Sequence, residues 1–127
     1  MRLRRWTIAA SLASLPFVLP HVVEDFAEGT AQRFGLSTAA GAFLLGGFLA
    51  LQSLGLILVG LRRREGFRIT LWVGVIWVVG AVTDHGPAIV GGGFRSGAPS
   101  VLWVLGLVAT QATAALLAWQ GGRRLRK

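Results

Sequence analysis

Long stretches almost free of charge alternate with short charged clusters along the chain. These stretches cover residues 6–23, 38–61, 67–83 and 100–120, and the third is somewhat short. A helix of about 20 apolar residues crosses a hydrocarbon layer about 30 Å thick. The pattern therefore predicts four membrane-spanning helices. Periodicity adds little, because a helix that lies between lipid and other helices is apolar on all sides.

Composition agrees with this interpretation. Charged residues make up only 14% of the 127 residues, against about 25% in soluble domains. We expect an all-α fold, an integral membrane four-helix bundle with up-down-up-down topology that forms a single transmembrane domain over residues 1–127. Its first partner is the lipid bilayer, and its surface also suits a homo-oligomer or a larger membrane complex.

The distribution of basic residues predicts the orientation. Lys and Arg in short loops stay on the cytoplasmic side of a membrane. The basic groups at residues 2–5, 62–68 and 123–127 all fall on one side of the predicted topology, which leaves only Arg33 and Arg95 on the other side. Both termini are therefore expected in the cytoplasm, with the protein in a cytoplasmic (inner) or plasma membrane. Four of the five acidic residues then lie at the outer boundary.

The formal net charge of +8 also fits nucleic-acid binding. We reject nucleic acid as a partner, because each basic group directly adjoins an apolar span. The chain has no cysteine, which excludes disulfides, thiolate metal sites and cysteine nucleophiles. Any metal would therefore need nitrogen and oxygen ligands.

The first span has a second interpretation, because a basic start followed by an apolar stretch also fits a secretory signal peptide. The small residues at positions 13–14 make a poor cleavage site. The next charges begin at Glu24, where an ordinary first span leaves the membrane. We expect this segment to be retained as the first span.

The histidines and most acidic residues form two groups. The predicted topology places both groups at the same depth in the membrane. The first group has spacings of three and four, which place its members on one helical face: His21, Glu24, Asp25 and Glu28. The second group, Asp84 and His85, ends the third span. Both spans begin on the cytoplasmic side and are similar in length, so we expect two imidazoles and four carboxylates to converge at the outer boundary.

Imidazole and carboxylate groups are suitable ligands for Zn²⁺, Mn²⁺ or Fe²⁺, so a divalent metal ion is the candidate cofactor of all six residues. The same groups also suit an acid–base pair or a site for a polar small molecule. Their spacing matches no specific metal or catalytic motif such as His-Glu-x-x-His. The simpler alternative is that these side chains are solvated groups at helix ends.

Three features predict how the helices pack. Small residues at every fourth position of the second span allow close approach, either within the chain or between two copies: Ala42, Gly46 and Ala50. Gln52 and Gln111 lie near the middle of the second and fourth spans, where polar side chains usually form interhelical hydrogen bonds. Pro16 and Pro20 each remove a helical hydrogen bond, so we expect a kink in the first span.

Three functions remain open from the sequence. The first is a small polytopic protein whose extracytoplasmic pocket binds a cation or a polar small molecule, in a transport-related or binding role. The second is a membrane-embedded enzyme that acts on a lipid-like substrate, with the same histidines and carboxylates as acid and base. The third is a noncatalytic accessory subunit of a larger membrane complex.

Overall fold

The computed structural model describes residues 2–93 and 97–125. Arg95 of the predicted outer loop and the terminal basic residues Arg126 and Lys127 lie outside these ranges. The described residues form six helices, α1 (Arg2–Leu12), α2 (Leu15–Ala27), α3 (Thr30–Arg33), α4 (Thr38–Gly60), α5 (Arg64–Val90) and α6 (Ala98–Arg124), and no strand occurs among them. The predicted all-α class is confirmed.

Four helical segments are long and apolar enough to cross a membrane: Arg2–Ala27, Thr38–Gly60, Arg64–Val90 and Ala98–Arg124. The chain is therefore a multi-pass membrane protein with a four-helix bundle. The third segment differs most from the apolar stretch, because Asp84 and His85 lie inside α5 and do not open a loop. A charged residue ends the apolar stretch but not the hydrogen-bonded helix, which continues to Val90.

The first segment is broken between α1 and α2, at Ala13 and Ser14. Pro16 stands in the first turn of α2, a position where a helix does not need the missing N–H. The Ser14 hydroxyl donates to the carbonyl of Ser11 over 2.6 Å and accepts from Nε2 of Gln111 over 2.9 Å. The fourth span therefore donates a hydrogen bond that stabilises the break between α1 and α2.

The four spans form a ring in chain order. Helix α1 packs against both α4 and α6, and α5 packs between α4 and α6. The main contacts of α2 are with α6 and with the short α3, which also touches α4. After the break between α1 and α2, the first span therefore packs mainly against the fourth span. Helix α3 lies between α2 and the second span.

Two apolar clusters lie at different levels of the bundle. One is centred on Val18 and Leu107, and the other on Val59 and Phe67. Polar side chains join the helices in addition to these clusters. Gln52 donates from Nε2 to the Ser11 hydroxyl over 3.2 Å, and its Oε1 accepts from the Trp77 indole over 3.0 Å. Side chains of α1, α4 and α5 are thus linked inside the bundle.

Close helix contacts occur at glycines outside the predicted stripe of small residues. Gly74 of α5 lies against the backbone of Gln111 on α6. A methyl group at Gly74 would lie only 2.8 Å from the carbonyl oxygen of Gln111. Ala42, Gly46 and Ala50 are exposed instead, and a methyl group at Gly46 would meet nothing within 4 Å. Within the described residues this stripe stays open to lipid or to a second copy.

Candidate functional site

Three of the predicted residues place their ligand atoms together at one end of the bundle. His21 and Asp25 lie one turn apart on α2, and His85 lies on α5. Nε2 of His21 is 3.4 Å from Oδ2 of Asp25, and Nε2 of His85 is 3.7 Å from Oδ1 of the same carboxylate. One potential ligand atom from each residue lies within 4.8 Å of the other two. We call these three residues the His/Asp cluster.

Local structure explains how these side chains meet. His21 and Asp25 are four residues apart on one helix, a spacing that stacks two side chains on the same face. His85 reaches them because α5 continues past the apolar stretch as an unbroken helix. Phe17 of α2 packs directly over Gly106 of α6, where a larger residue would collide with its ring. This contact brings α2 close to α6.

Two further charged groups border the cluster. Oδ2 of Asp84 lies 3.3 Å from Nε2 of His85, and Oδ1 of the same carboxylate lies 3.9 Å from the guanidinium of Arg33. Arg33 belongs to the short helix α3, which starts after Gly29 in the left-handed conformation with φ of 72°. The Asp84 carboxylate therefore lies close to both the imidazole of His85 and the guanidinium of Arg33.

All six predicted site residues line one cavity of about 90 Å³. Ser100, at the start of α6, and Arg33 line it as well. The side chain of Ser100 is buried, and its hydroxyl has no hydrogen-bond partner. Nε2 of His85 is also buried without a hydrogen bond, although two carboxylates lie nearby. Buried polar atoms usually find a partner, so these two atoms leave hydrogen-bonding capacity directed into the cavity.

The distances suit a metal ion. Two ligands bound to a tetrahedral ion at about 2.0–2.1 Å stand about 3.3 Å from each other. The His21–Asp25 and His85–Asp25 separations of 3.4 and 3.7 Å are close to that value, but they involve the two different oxygens of Asp25, and the set with one atom from each residue spans up to 4.8 Å. Two imidazoles and one carboxylate form a donor set that zinc and ferrous iron accept, with coordination positions left for water or substrate.

A groove on another side of the cluster runs along α5. It has a volume of about 390 Å³ and is bordered by Phe34, Trp77, Gly80 and Ala81 before it reaches the cluster. Its lining is mixed, because the apolar residues Phe34, Trp77, Gly80 and Ala81 stand beside Thr30, Thr83 and the charged residues of the site. The cluster thus borders both a small cavity and a larger groove.

The other three predicted ligands, Glu24, Glu28 and Asp84, line the cavity but are not part of the group of ligand atoms within 4.8 Å. The structure also adds two residues that the sequence interpretation did not propose for the site, Arg33 and Ser100. A signal for Arg33 was present, because it is an isolated basic residue within an acidic connecting segment. No sequence signal distinguishes Ser100 from the other small polar residues of the spans.

The fold and the cluster define the chain as a four-helix membrane protein with histidines and a carboxylate gathered at one end of the bundle. Comparison with protein families, curated proteins and solved structures finds no match to this chain.

Proposed function

We propose that this protein binds a divalent transition-metal ion at the His/Asp cluster, on the extracytoplasmic side of the membrane. The observation that carries the proposal is the convergence of His21, Asp25 and His85 from two different spans, with their ligand atoms within 4.8 Å of one another. Zinc, ferrous iron and manganese are the candidate ions, because all three accept nitrogen and oxygen ligands.

The charge of the cavity supports a cation as its ligand. Four carboxylates line the cavity, whereas Arg33 is the one basic side chain among its described lining residues. The acidic lining raises the local concentration of cations. The buried Ser100 hydroxyl can accept a hydrogen bond from a water molecule that fills an open coordination position. A small cavity with these groups suits an ion and its waters.

The charge distribution along the bundle supports the orientation. Arg4, Arg62 and Arg124 border a pocket at the end of the bundle away from the histidines, which we call the arginine end. Because basic residues in short loops remain in the cytoplasm, the arginine end and both termini lie inside. The His/Asp cluster then faces the extracytoplasmic side of a plasma or inner membrane.

The first experiment measures metal binding directly. Protein purified in a neutral detergent is stripped with a chelator, dialysed and titrated with Zn²⁺, Fe²⁺ or Mn²⁺, and bound metal is quantified by mass spectrometry. We expect one ion per chain for at least one of these metals. His21→Ala and His85→Ala each remove a nitrogen ligand, so each is expected to lower the bound fraction to background.

The matched control is Glu65→Gln, which removes an exposed carboxylate outside the cavity lining. This variant keeps full metal binding if the site is the His/Asp cluster. Equal loss in the control and in the histidine variants would contradict the proposal. Absence of binding in the unmodified protein would leave an accessory role in a membrane complex as the better explanation.

A second candidate function, catalysis on a lipid-like substrate, is favoured by the groove along α5. Phe34 and Trp77 line this groove together with the imidazoles of His21 and His85. An amphiphile in this groove could place its head group beside a metal-bound water, which acts as nucleophile or base in many metal sites. The small cavity alone does not suit such a substrate, because it is below the roughly 300–1,000 Å³ of drug-sized ligand sites.

The catalytic candidate has its own test. Metal-loaded protein and the His85→Ala variant are incubated with a total lipid extract, and the lipids are compared by mass spectrometry. Conversion of one lipid class by the unmodified protein alone would support catalysis. Metal binding by the unmodified protein without any lipid conversion would support the binding role.

A further inference from the structure

A second pocket lies at the arginine end, remote from the His/Asp cluster. It has a volume of about 240 Å³ and is formed by α1, α6 and the turn that joins α4 to α5. Three arginines border it, Arg4, Arg62 and Arg124, while Leu3, Phe67 and Gly121 supply apolar surface. The surface inside the pocket is almost entirely apolar and suits a hydrocarbon chain, while the three arginines stand at its border.

The backbone places Arg62 in this pocket by an uncommon conformation. Arg62 has φ of 58°, and it is the one described residue other than glycine with a positive φ. Its N–H donates to the carbonyl of Val59 over 3.0 Å, and the N–H of Arg63 donates to that of Leu58 over 2.8 Å. These bonds close the end of α4 in a geometry that usually carries glycine. An arginine here keeps a cation in the turn at the cost of backbone strain.

The other two arginines reach the pocket from neighbouring spans. Arg4 donates from its guanidinium to the carbonyl of Gly60 over 3.1 Å, which holds α1 against the end of α4. Phe67 packs directly over Gly121, where a larger residue would collide with its ring. This contact brings the last turns of α6, with Arg124, close to the start of α5. Three separate segments thus supply the cations.

No carboxylate neutralises these cations within the described part of the chain. The described ion pairs all involve residues at the histidine end, His21, Asp25, Arg33, Asp84 and His85. Arg123 differs from the three pocket arginines, since its guanidinium stacks on the Trp119 ring at 4.9 Å. The pocket arginines are therefore suited to an anionic ligand from outside the chain.

We propose that this pocket holds an acyl chain of an anionic phospholipid along Leu3 and Phe67, with the phosphate head group at the arginines on its border. Arginine guanidinium groups bind phosphate oxygens through paired charge-assisted hydrogen bonds. Basic pockets between spans, at the level of the lipid head groups, favour anionic lipids. The charge and the apolar surface together distinguish a phospholipid from a free phosphate ion, which needs no apolar surface. This inference is independent of the metal site.

The test compares two variants that lose the same charge. In the pocket variant, Arg4, Arg62 and Arg124 are all changed to Gln. In the control variant, the exposed Arg2, Arg5 and Arg63, which do not line the pocket, are changed to Gln. Native mass spectrometry in neutral detergent measures retention of phosphatidylglycerol and phosphatidylcholine. We expect selective retention of phosphatidylglycerol by the unmodified and control proteins, and a loss of about tenfold or more in the pocket variant.

A single substitution separates lipid binding from folding. Arg62→Gly suits the positive φ of this position, so the turn is retained while one phosphate ligand is lost. We expect this variant to fold normally and to bind phosphatidylglycerol about tenfold more weakly. Equal losses in the pocket and control variants, or equal retention of the two lipids, would refute the proposal. Displacement of the lipid by millimolar inorganic phosphate would indicate a site for free phosphate and would also overturn it.

Discussion

The imidazole rings of His21 and His85 meet edge to face across the bundle, with centroids 4.7 Å apart and an interplanar angle of 73°. They are the only two histidines of the chain, and they come from the first and third spans. The carboxylate oxygens of Asp25 lie 3.4 Å from Nε2 of His21 and 3.7 Å from Nε2 of His85. A ligand held by all three residues would therefore tie α2 to α5, two helices that do not share a main packing interface.

Asp25 and Asp84 should differ in their effect on metal binding. Asp25 has an oxygen within reach of each imidazole, whereas Asp84 lies beside His85 and also pairs with Arg33. Loss of an outer partner of a metal site typically costs about 10–100-fold in affinity. We therefore expect Asp84→Asn to weaken zinc binding by about tenfold and Asp25→Asn by more than about 100-fold. Competition with a chromogenic chelator measures both, and equal effects would argue against Asp25 as a ligand.

Removal of metal should lower the thermal stability of the protein. A ligand that binds only the folded state stabilises it by about 2.7 kcal/mol at a free concentration of 100 times its dissociation constant. We expect zinc to raise the unfolding midpoint and a chelator to reverse the increase. The double variant His21→Ala, His85→Ala serves as the control, because its midpoint should not respond to zinc. A zinc response that persists in this variant would place the binding elsewhere.

Much of the fold was predictable because the bilayer imposes a simple rule of length and charge. Each apolar stretch lies within or coincides almost fully with one helical segment that can span a membrane. The ends of the helices were less predictable. Helix α5 continues through Asp84 and His85 to Val90, because backbone hydrogen bonds continue after the apolar surface ends. Hydropathy therefore predicts where a helix leaves the bilayer, but not the residue at which the helix ends.

The convergence of the two polar groups follows partly from the sequence. The spacing of His21 and Asp25 predicts a shared face, and the similar lengths of the first and third spans predict that His85 lies at the same depth. The rotation of α5 about its axis and the direction of α2 after the break at Ser14 decide whether the side chains point toward each other. Both depend on packing between distant segments, such as the hydrogen bond from Gln111 to Ser14. Spacing along the chain contains no such information.

Gln111 is expected to stabilise the break in the first span. It is buried, and its amide donates to Ser14, which in turn donates to the carbonyl of Ser11. Interhelical hydrogen bonds of this kind contribute about 0.6 kcal/mol on average and up to about 1.7 kcal/mol. Gln111→Leu should therefore lower the free energy of unfolding by about 1 kcal/mol, measured by thermal or denaturant unfolding in detergent.

Thr113 provides the matched control for that substitution. It lies on the same helix but is exposed, and its hydroxyl donates only to the carbonyl of Ala109 in its own helix. Thr113→Val should change stability little, because no contact between helices is lost. A similar loss of unfolding free energy in both variants would mean that the hydrogen bond from Gln111 does not stabilise the break between α1 and α2.

Two glycines should respond differently to the same substitution. A methyl group at Gly74 would lie 2.8 Å from the carbonyl oxygen of Gln111 and 3.0 Å from Cβ of Ala115. Helix backbone cannot move away cheaply, so Gly74→Ala should destabilise the bundle by about 1–3 kcal/mol. Gly46→Ala meets open space and should leave the unfolding midpoint unchanged or slightly higher. If the two variants unfolded alike, the close contact between α5 and α6 would be refuted.

The orientation of the bundle can be tested with single cysteines, because the chain contains none. Ala27, at the end of α2, is exposed near the His/Asp cluster, and Leu61 is exposed in the turn at the arginine end. If basic residues remain inside, a membrane-impermeant maleimide added to intact cells should label Ala27→Cys but not Leu61→Cys. Permeabilised cells should label both variants, which controls for reactivity. Labelling of Leu61→Cys alone in intact cells would reverse the topology and place the His/Asp cluster on the cytoplasmic side.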